Sequence, residues 1–246
     1  MRRLAGKVAM VTSAGSAIGA AIARRLHAEG ACVVAFDWSG AEDGIVAELN
    51  ELRAGAVGVR GDIRKGDDVR RAVATAVERF GKLDVLVNNA GIAVPLRRVT
   101  ETSEDDFDRG MAINARGVFL GMKHSIQAMI ETSPGSGSVI NTASTQSIDG
   151  MANMVACCGS KGAVALMTKA VAVEVAPLGI RVNAVCPGPT GTDIKVNSSR
   201  TAVALPDEAK TQTGSRAVTV DEAAIRSMVP IGRVCGGAPL PAVMSP

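Results

Sequence analysis

The sequence predicts a single α/β domain in which helices cover both faces of a parallel β-sheet. Short apolar runs rich in β-branched residues alternate with longer helical segments, a pattern typical of doubly wound sheets. Apolar residues make up 47% of the 246 residues and aromatic residues only 2%, so small and aliphatic side chains must build the core. Such a core suits a sheet that is buried on both faces. Because no repeat or low-complexity linker divides the chain, we expect one domain over residues 1–246.

Strands and helices are predicted in alternation. The predicted strands are Val8–Thr12, Cys32–Phe36, Ala56–Gly61, Val85–Asn88, Ser138–Thr142 and Ile180–Val185. The predicted helices are Ile18–Glu29, Ala41–Arg53, Asp67–Phe80, one or two helices within Ser103–Met129, and Met154–Pro177. Right-handed crossovers bring the loops that follow parallel strands to one edge of the sheet, where they form a crevice. Residues 194–220 are polar and are predicted to form a mobile substrate flap, and 234–246 form an atypical tail rich in Gly and Pro.

Composition argues against several classes of partner. The net charge is +3 with scattered Lys and Arg, so no basic stripe indicates nucleic acid. No uninterrupted apolar run approaches the ~18–20 residues of a membrane span, so no membrane partner is expected. The five cysteines are odd in number and lack the spacing of metal ligands. We therefore expect a reduced, cytoplasmic protein without a bound metal.

The segment between the first strand and the first helix resembles a phosphate-binding turn. It reads Thr-Ser-Ala-Gly-Ser-Ala-Ile-Gly over residues 12–19. Backbone N–H groups and the positive end of a helix attract phosphate, and small residues let the backbone come close. The expected cofactor contacts in this turn are Ser13, Gly15, Ser16, Ile18 and Gly19. The same composition also suits an ordinary strand–helix turn, so the pattern alone leaves both interpretations open.

Asp37 follows the second predicted strand, about 20 residues after this turn. A carboxylate in this position accepts hydrogen bonds from an adenosine ribose, although a solvated Asp or a helix cap would have the same sequence context. A carboxylate would also repel a 2′-phosphate, and Trp38 supplies no compensating positive charge. Together the turn and Asp37 predict a nucleotide, and NAD(H) in preference to NADP(H).

Further motifs lie at strand ends and in helices in a fixed order. They are Asp62-Ile63, Asn88-Asn89-Ala90-Gly91, Asn114, Ser144 with Lys161 seventeen residues later, and Asn183–Gly188 followed by Thr192. With the turn at 12–19, this ordered set resembles the short-chain dehydrogenase/reductase family over roughly Leu4–Arg233. The resemblance implies a Rossmann-type, doubly wound sheet in three layers that binds NAD or NADP at its carboxyl edge.

The resemblance also assigns roles to residues. Asn114 would hold a proton-relay water, Ser144 would hydrogen-bond the substrate oxygen, and Lys161 would bind the nicotinamide ribose and lower the pKa of the acid/base group. The implied cofactor contacts are Asp62 and Ile63 beside adenine, Asn89 and Ala90 along the adenosine ribose, Pro187, Gly188 and Thr192 at the nicotinamide and pyrophosphate, and in addition Gly91 and Thr190. Each residue alone has a simpler interpretation: a strand-end cap for Ser144, a solvated amine for Lys161 and a helix-surface amide for Asn114.

The sequence departs from the family pattern at Ser13 and Ala17, where the family has glycines, in the tail from Val234, and at Cys157. Cys157 stands four residues before Lys161, at the position of the family's catalytic tyrosine, and the chain contains no Tyr. Lys161 on the same helix face is expected to lower the pKa of the thiol. The thiol nevertheless ends about 3.5–4 Å short of a phenol oxygen. Direct proton transfer is therefore expected to fail, with a loss of about 10²–10⁴-fold.

The sequence thus predicts an NAD(H)-dependent oxidoreductase for a small secondary alcohol or ketone, weakened at Cys157. Two alternatives stay open: a catalytically inactive nucleotide- or partner-binding protein on the same fold, and a redox-sensitive protein that uses the Cys157–Cys158 pair. The resemblance also implies a homodimer or homotetramer assembled through the helices near 105–130 and 154–177 together with the C-terminus, of which the two helices are present in this sequence.

Overall fold

A computed structural model of the chain describes residues 2–188 and 190. Six parallel strands form one sheet in the order β3-β2-β1-β4-β5-β6. The strands are β1 Val8–Thr12, β2 Cys32–Asp37, β3 Ala56–Arg60, β4 Val85–Asn88, β5 Gly137–Thr142 and β6 Ile180–Val185. The order reverses between β1 and β4, so the loops after these strands diverge and leave a crevice at the carboxyl edge. The predicted α/β, doubly wound fold class is confirmed.

Helices connect the strands on both faces of the sheet. They are α1 Ala17–Ala28, α2 Glu42–Leu52, α3 Gly66–Phe80, α4 Glu104–Met111, α5 Gly117–Thr132 and α6 Val155–Val175. The predicted helical stretch 103–129 is divided between α4 and α5 by a π-helical turn at Ala112–Arg116. The predicted flap at 194–220, the tail at 234–246 and Cys235 lie outside the described residues.

The core lies on both faces of the sheet because successive strand residues point in opposite directions. On one face Met10, Val34 and Leu86 pack in a single cluster with α3 and α5 residues. On the other face Val11 and Val33 pack with residues of α1 and α2. All these side chains are fully buried, which explains why the strands read as continuous apolar runs rather than as alternating ones.

One polar network crosses the apolar core and joins the central strands to α6. Asn88 on β4 donates to the Asn141 side chain on β5 at 2.9 Å, and Asn141 donates to Thr168 on α6 at 2.9 Å. Gly121 of α5 packs so closely that a side-chain carbon on it would overlap Asn88 Oδ1. The network therefore fixes α5 and α6 against the same pair of strands.

Helix α6 with its 3₁₀ continuation spans Val155–Leu178, and among the described residues it is the one helix long and apolar enough to cross a membrane. Its mean hydropathy is 1.2, although Lys161 and Lys169 interrupt the apolar run. An apolar helix of a water-soluble protein meets the same criterion. Only 22% of this window is buried, and Leu166 and Val173 are exposed.

The contact at Gly121 gives a stability prediction. We expect Gly121→Ala to lower the free energy of unfolding by about 1–3 kcal/mol, because the added carbon must displace the buried Asn88 amide. Gly44→Ala is the matched control, because Gly44 is an exposed residue of α2 where an added carbon meets nothing within 4 Å. It should raise stability by up to about 1 kcal/mol through helix propensity. Urea unfolding measures both, and equal shifts would contradict the packing described.

Candidate active site

The turn between β1 and α1 has the backbone conformation of a phosphate-binding loop. Ser13 and Ala17 adopt left-handed φ angles of 54° and 46°, which are strained for residues with a side chain. Glycine at these two positions would carry no such strain. The fold thus imposes on Ser13 and Ala17 the conformation that glycine adopts more easily.

Close packing explains the glycine at residue 19. A side-chain carbon on Gly19 would overlap the carbonyl oxygen of Ser13. The first hydrogen bond of α1 runs from the Ala20 N–H to the Ser16 carbonyl at 3.1 Å. The N–H groups of residues 17–19 therefore have no acceptor within the helix and lie at its positive end.

Asp37 is buried, with 4% of its surface exposed, at the carboxyl end of β2. Its Oδ2 accepts the Gly15 N–H at 2.9 Å, and its Oδ1 accepts the N–H and hydroxyl of Ser39 at 3.0 and 2.8 Å. A carboxylate oxygen has two lone pairs, so Oδ2 retains capacity for one ribose hydroxyl. Asp37 thus joins the phosphate turn to the loop that follows β2.

Thr12 ties the loop after β4 to the end of β1. Its buried hydroxyl accepts the N–H groups of Asn89 and Ala90, both at 2.9 Å. The Asn89 side chain in turn donates to the Thr12 carbonyl at 3.2 Å. Asn89 and Ala90 therefore lie beside the phosphate turn, in the crevice where the strand order reverses.

Asp62 and Ile63 follow β3 at the same edge. The Asp62 carboxylate forms an ion pair with Arg64 at 2.6 Å. Burial opposes ionisation of Asp62, but the hydrogen bonds and charge of Arg64 outweigh it and hold the pKa of this carboxyl below its usual value. Ile63 is buried and contacts the α5 surface at Gly117. The side chain of Asp62 is thus held by Arg64.

Asn114 lies in the π-helical turn and is 1% exposed, so it is not a surface amide. Its Oδ1 accepts the Ile92 N–H at 2.8 Å, and its Nδ2 donates to the Ile92 carbonyl at 3.1 Å and to Ser160 Oγ at 3.4 Å. Single-turn π-helices are frequent at functional sites. Both Nδ2 protons of Asn114 are used in these bonds, whereas Oδ1 retains capacity for one more donor.

Lys161 is buried, with 9% of its surface exposed, on the inner face of α6. Its ammonium donates to the Thr142 carbonyl at 2.6 Å and lies close to Gly91. Burial disfavours the charged form and lowers the pKa of Lys161 to about 8. The solvated amine that a lone lysine would suggest is therefore wrong here.

Cys157 faces Lys161 from the preceding helical turn, and the charge of each affects the other. The expectation that Lys161 lowers the pKa of this thiol is wrong in its net direction. Burial raises the pKa of Cys157, and the attraction of Lys161 only partly opposes that effect. At neutral pH the thiol is protonated, which disfavours its use as a redox-active thiolate.

Ser144 follows β5 and begins a short 3₁₀ turn, Thr145–Ser147. Its hydroxyl donates to Gln146 Oε1 and accepts the Gln146 N–H at 3.3 Å. The Thr145 N–H donates to the Pro187 carbonyl at 3.1 Å, which joins this loop to the loop after β6.

Gly188 and Thr190 lie in the loop after β6, where the Thr190 hydroxyl donates to the Gly188 carbonyl at 3.1 Å. Thr192 lies outside the described residues.

Sequence reasoning did not identify three groups that hold this site. The Thr142 carbonyl anchors Lys161, the Thr12 hydroxyl anchors Asn89, and Ser160 links Asn114 to the backbone carbonyl of Cys157 at 3.1 Å. A backbone carbonyl gives no residue-type signal. Ser160 lies three residues beyond Cys157, one helical turn away, so that spacing is the signal that could have identified it.

The residues present fit the adenosine and pyrophosphate portions of a dinucleotide. The N–H groups of residues 17–19, which have no acceptor within α1, suit phosphate, and Asp37 Oδ2 retains acceptor capacity for a ribose hydroxyl. Asp37, Asn89 and Lys161 all lie along the carboxyl edge of the sheet. Among the described residues, no cluster of three or more His, Cys, Asp or Glu side chains could hold a metal ion.

Comparisons with known proteins agree with this geometry. Residues 7–202 match the sequence profile of the family described as short chain dehydrogenase. An uncharacterized oxidoreductase of Thermotoga maritima is 40% identical over 189 residues, covering 76% of this chain and 73% of that protein. The 2,5-dichloro-2,5-cyclohexadiene-1,4-diol dehydrogenase of Sphingobium indicum is 38% identical, covering 86% and 81%.

Solved structures give the same result. An NAD⁺-bound xylitol dehydrogenase superposes with a TM-score of 0.81 at 32% identity, covering 96% of this chain and 89% of that one. Fold and site together define a dinucleotide-binding oxidoreductase of the Rossmann type. The chain belongs to the short-chain dehydrogenase family.

The strain at Ala17 predicts that a glycine at this position raises both the affinity for NADH and the stability of the fold. We expect Ala17→Gly to tighten NADH binding several-fold and to stabilise the fold by about 1 kcal/mol, because it removes the left-handed strain and a methyl group beside the phosphate site. Ala21→Gly, in the ordinary helical part of α1, is the control and should cost about 1 kcal/mol without changing affinity. Calorimetric titration and thermal unfolding measure both quantities. Weaker binding by Ala17→Gly would refute the role given to this turn.

Proposed function

We propose that this protein is an NAD(H)-dependent oxidoreductase that interconverts a secondary alcohol and a ketone, with catalysis weakened at Cys157. The observation that carries the proposal is the buried Lys161, held by the Thr142 carbonyl beside Asn114 and Gly91 at the carboxyl edge of the sheet. An ammonium buried without a carboxylate partner is costly and is typical of functional sites. Relatives of similar length include a meso-2,3-butanediol dehydrogenase of Serratia marcescens, 37% identical over 193 residues, which supports small alcohols as substrates.

Lys161 and Ser144 would divide the work on the substrate oxygen. When bound, the nicotinamide supplies or accepts the hydride. The Ser144 hydroxyl would exchange its bond with Gln146 for one with the substrate carbonyl. Lys161 has three N–H donors and uses one on Thr142, so two stay available for ribose hydroxyls and for proton transfer.

We propose that Cys157 occupies the position of the family's tyrosine but that its thiol is too short to reach the substrate oxygen. With its pKa raised by burial, the thiol is protonated but poorly acidic, and it ends short of the substrate oxygen. The proton would then come from Lys161, whose pKa of about 8 suits general acid catalysis, through a bridging water. Reduction should therefore slow as the pH rises through about 8, since Lys161 loses its proton there.

The first test is Cys157→Tyr. We expect ketone reduction with NADH to rise by about 10²–10⁴-fold, the usual contribution of a positioned acid/base group. Cys158→Tyr is the matched control. Cys158 is the next residue of α6, and it lines a hollow with Arg98 and Met151 that Cys157 does not line. Steady-state rates across a panel of ketones, with the pH profile of each variant, provide the measurement.

The outcomes separate two functions. Turnover that appears only in Cys157→Tyr supports an oxidoreductase scaffold with an impaired proton donor. NADH binding without turnover in either form would favour the alternative, a catalytically inactive nucleotide- or partner-binding protein, which Cys157 itself suggests. Failure of both forms to bind NADH would remove the proposed activity altogether.

We further propose a homodimer or homotetramer in the cytoplasm. Phe119 on α5 and Leu166 and Val173 on α6 expose 46%, 68% and 79% of their surfaces, and a second copy related by a two-fold axis would cover them. The described cysteines, Cys32, Cys157, Cys158 and Cys186, are all unpaired, as suits a reducing compartment.

Sedimentation of Leu166→Glu tests the assembly. We expect this variant to sediment as a monomer, because a charge cannot be buried at the centre of an apolar interface without a partner. Leu52→Glu, at an equally exposed leucine on α2, should leave the oligomer intact. A monomeric wild-type protein, or an effect of both substitutions alike, would contradict the interface.

A further inference from the structure

The hollow beside Cys158 lies at the start of α6 and measures about 670 Å³. Its walls are residues of the segments 97–99 and 150–153, and the first two turns of α6 complete it. The Arg97 N–H donates to the Asn153 carbonyl at 3.0 Å, so the two segments are joined. A cavity of this volume is in the range of small-molecule sites in proteins.

Both walls of the hollow continue into the candidate active site. The first wall follows Gly91, where a side-chain carbon would lie 3.6 Å from the ammonium nitrogen of Lys161. The second wall lies between Ser144 and Cys157 in the chain, and Cys158 is the residue after Cys157. Because consecutive Cα atoms are about 3.8 Å apart, the hollow begins within one residue of the candidate catalytic group. It therefore adjoins the place where we propose that the substrate carbonyl lies.

The hollow is positively charged. Arg97 and Arg98 both line it, and none of its described lining residues is Asp or Glu. Arg98 is exposed and takes part in none of the ion pairs within residues 2–188 and 190. The nearest acidic residues along the chain, Glu101 and Asp149, are exposed to solvent. The positive end of α6 adds to this charge, because its first turn holds no acidic residue.

We propose that Arg98 is a specificity-determining residue that binds a carboxylate at the far end of the substrate, so that the substrate pair is an oxo acid and its hydroxy acid. The inference rests on the proposed function and names the class of ketone and alcohol on which that function acts. A guanidinium matches a carboxylate through two parallel N–H bonds, and such charge-assisted bonds are stronger than neutral ones. The exposed side chains of Val99, Met151 and Val155 would cover the carbon chain between the carbonyl and the carboxylate.

The test compares oxo acids with their methyl esters, which have the same carbon chain without the charge. The probes are 4-oxopentanoate, the longer 6-oxoheptanoate and the methyl ester of each. Calorimetric titration of the NAD⁺-loaded protein measures the Kd of each probe without turnover, since a ketone and NAD⁺ cannot exchange a hydride. The variants are Arg98→Gln, Arg98→Lys and, as the matched control, Arg79→Gln. Arg79 is an exposed arginine in the last turn of α3, at the amino edge of the sheet.

We expect the wild type to bind at least one of the two acids about tenfold or more tightly than its ester, the scale of one hydrogen bond to a charged group. Arg98→Gln should remove this preference and change the Kd of the ester by less than about twofold. Arg98→Lys should keep part of the preference, and Arg79→Gln should keep all of it. Added salt should weaken binding of the acid more than binding of the ester. In turnover, Arg98→Gln should raise KM for the acid and leave kcat nearly unchanged, because the carboxylate stays bound in the transition state.

Three outcomes would overturn the inference while leaving the proposed function standing. They are equal affinity of the wild type for acid and ester or no binding of either acid, a preference that Arg98→Gln leaves unchanged, and an equal loss of affinity for acid and ester in Arg98→Gln. The last result would mean that Arg98 only shapes the loop. Failure of the wild type to bind NADH or NAD⁺ would instead refute the proposed function, and this subsite with it.

Discussion

A series of hydrogen bonds, linked through the backbone of residues 90–92, runs from the Thr12 hydroxyl and holds the carboxyl edge of the sheet together. Thr12 fixes the N–H groups of Asn89 and Ala90, and two residues further on Ile92 exchanges two backbone hydrogen bonds with the Asn114 side chain. Asn114 reaches Ser160, which bonds to the backbone carbonyl of its own helix. Because Thr12, Asn114 and Ser160 are buried, loss of one of their partners would leave a buried polar group unsatisfied. The path connects the two halves of the sheet across the point where the strand order reverses.

Lys161 depends on this framework. A buried ammonium costs free energy unless hydrogen bonds replace its water, and Thr142 supplies one such bond at 2.6 Å. The cost that is not recovered appears as a pKa of about 8, well below that of a solvated lysine. About two turns further along α6, the Asn88–Asn141–Thr168 network holds the same helix against β4 and β5, so the position of Lys161 does not depend on its own hydrogen bond alone. Burial of Lys161 thus lowers the free energy of unfolding, and it places the ammonium where we propose proton transfer.

Much of the fold was predictable from the sequence, whereas the state of the site residues was not. Apolar runs located the six described strands. The runs are continuous in β1, β2 and β4, which are buried on both faces, whereas β6 alternates buried and exposed residues. The sequence allowed one or two helices within Ser103–Met129 but did not locate the π-helical turn at Ala112–Arg116, where Asn114 contacts Ile92, 22 residues away. The direction of the Cys157 pKa was also missed, because burial depends on residues that the local sequence does not name.

The departures from the family pattern differ in what they change. At Ser13 and Ala17 the backbone keeps left-handed angles despite the added side chains, so packing around Gly19 overrides local preference and the phosphate turn keeps its shape. At Cys157 the proposed limit is the length of the side chain, since a thiol ends about 3.5–4 Å short of where a phenol oxygen would lie. Neighbouring residues can impose a backbone conformation at a cost in strain and can shift the pKa of a side chain, but they cannot change its length. The scaffold can therefore persist around residues 13 and 17, and the proposed chemistry is limited at residue 157.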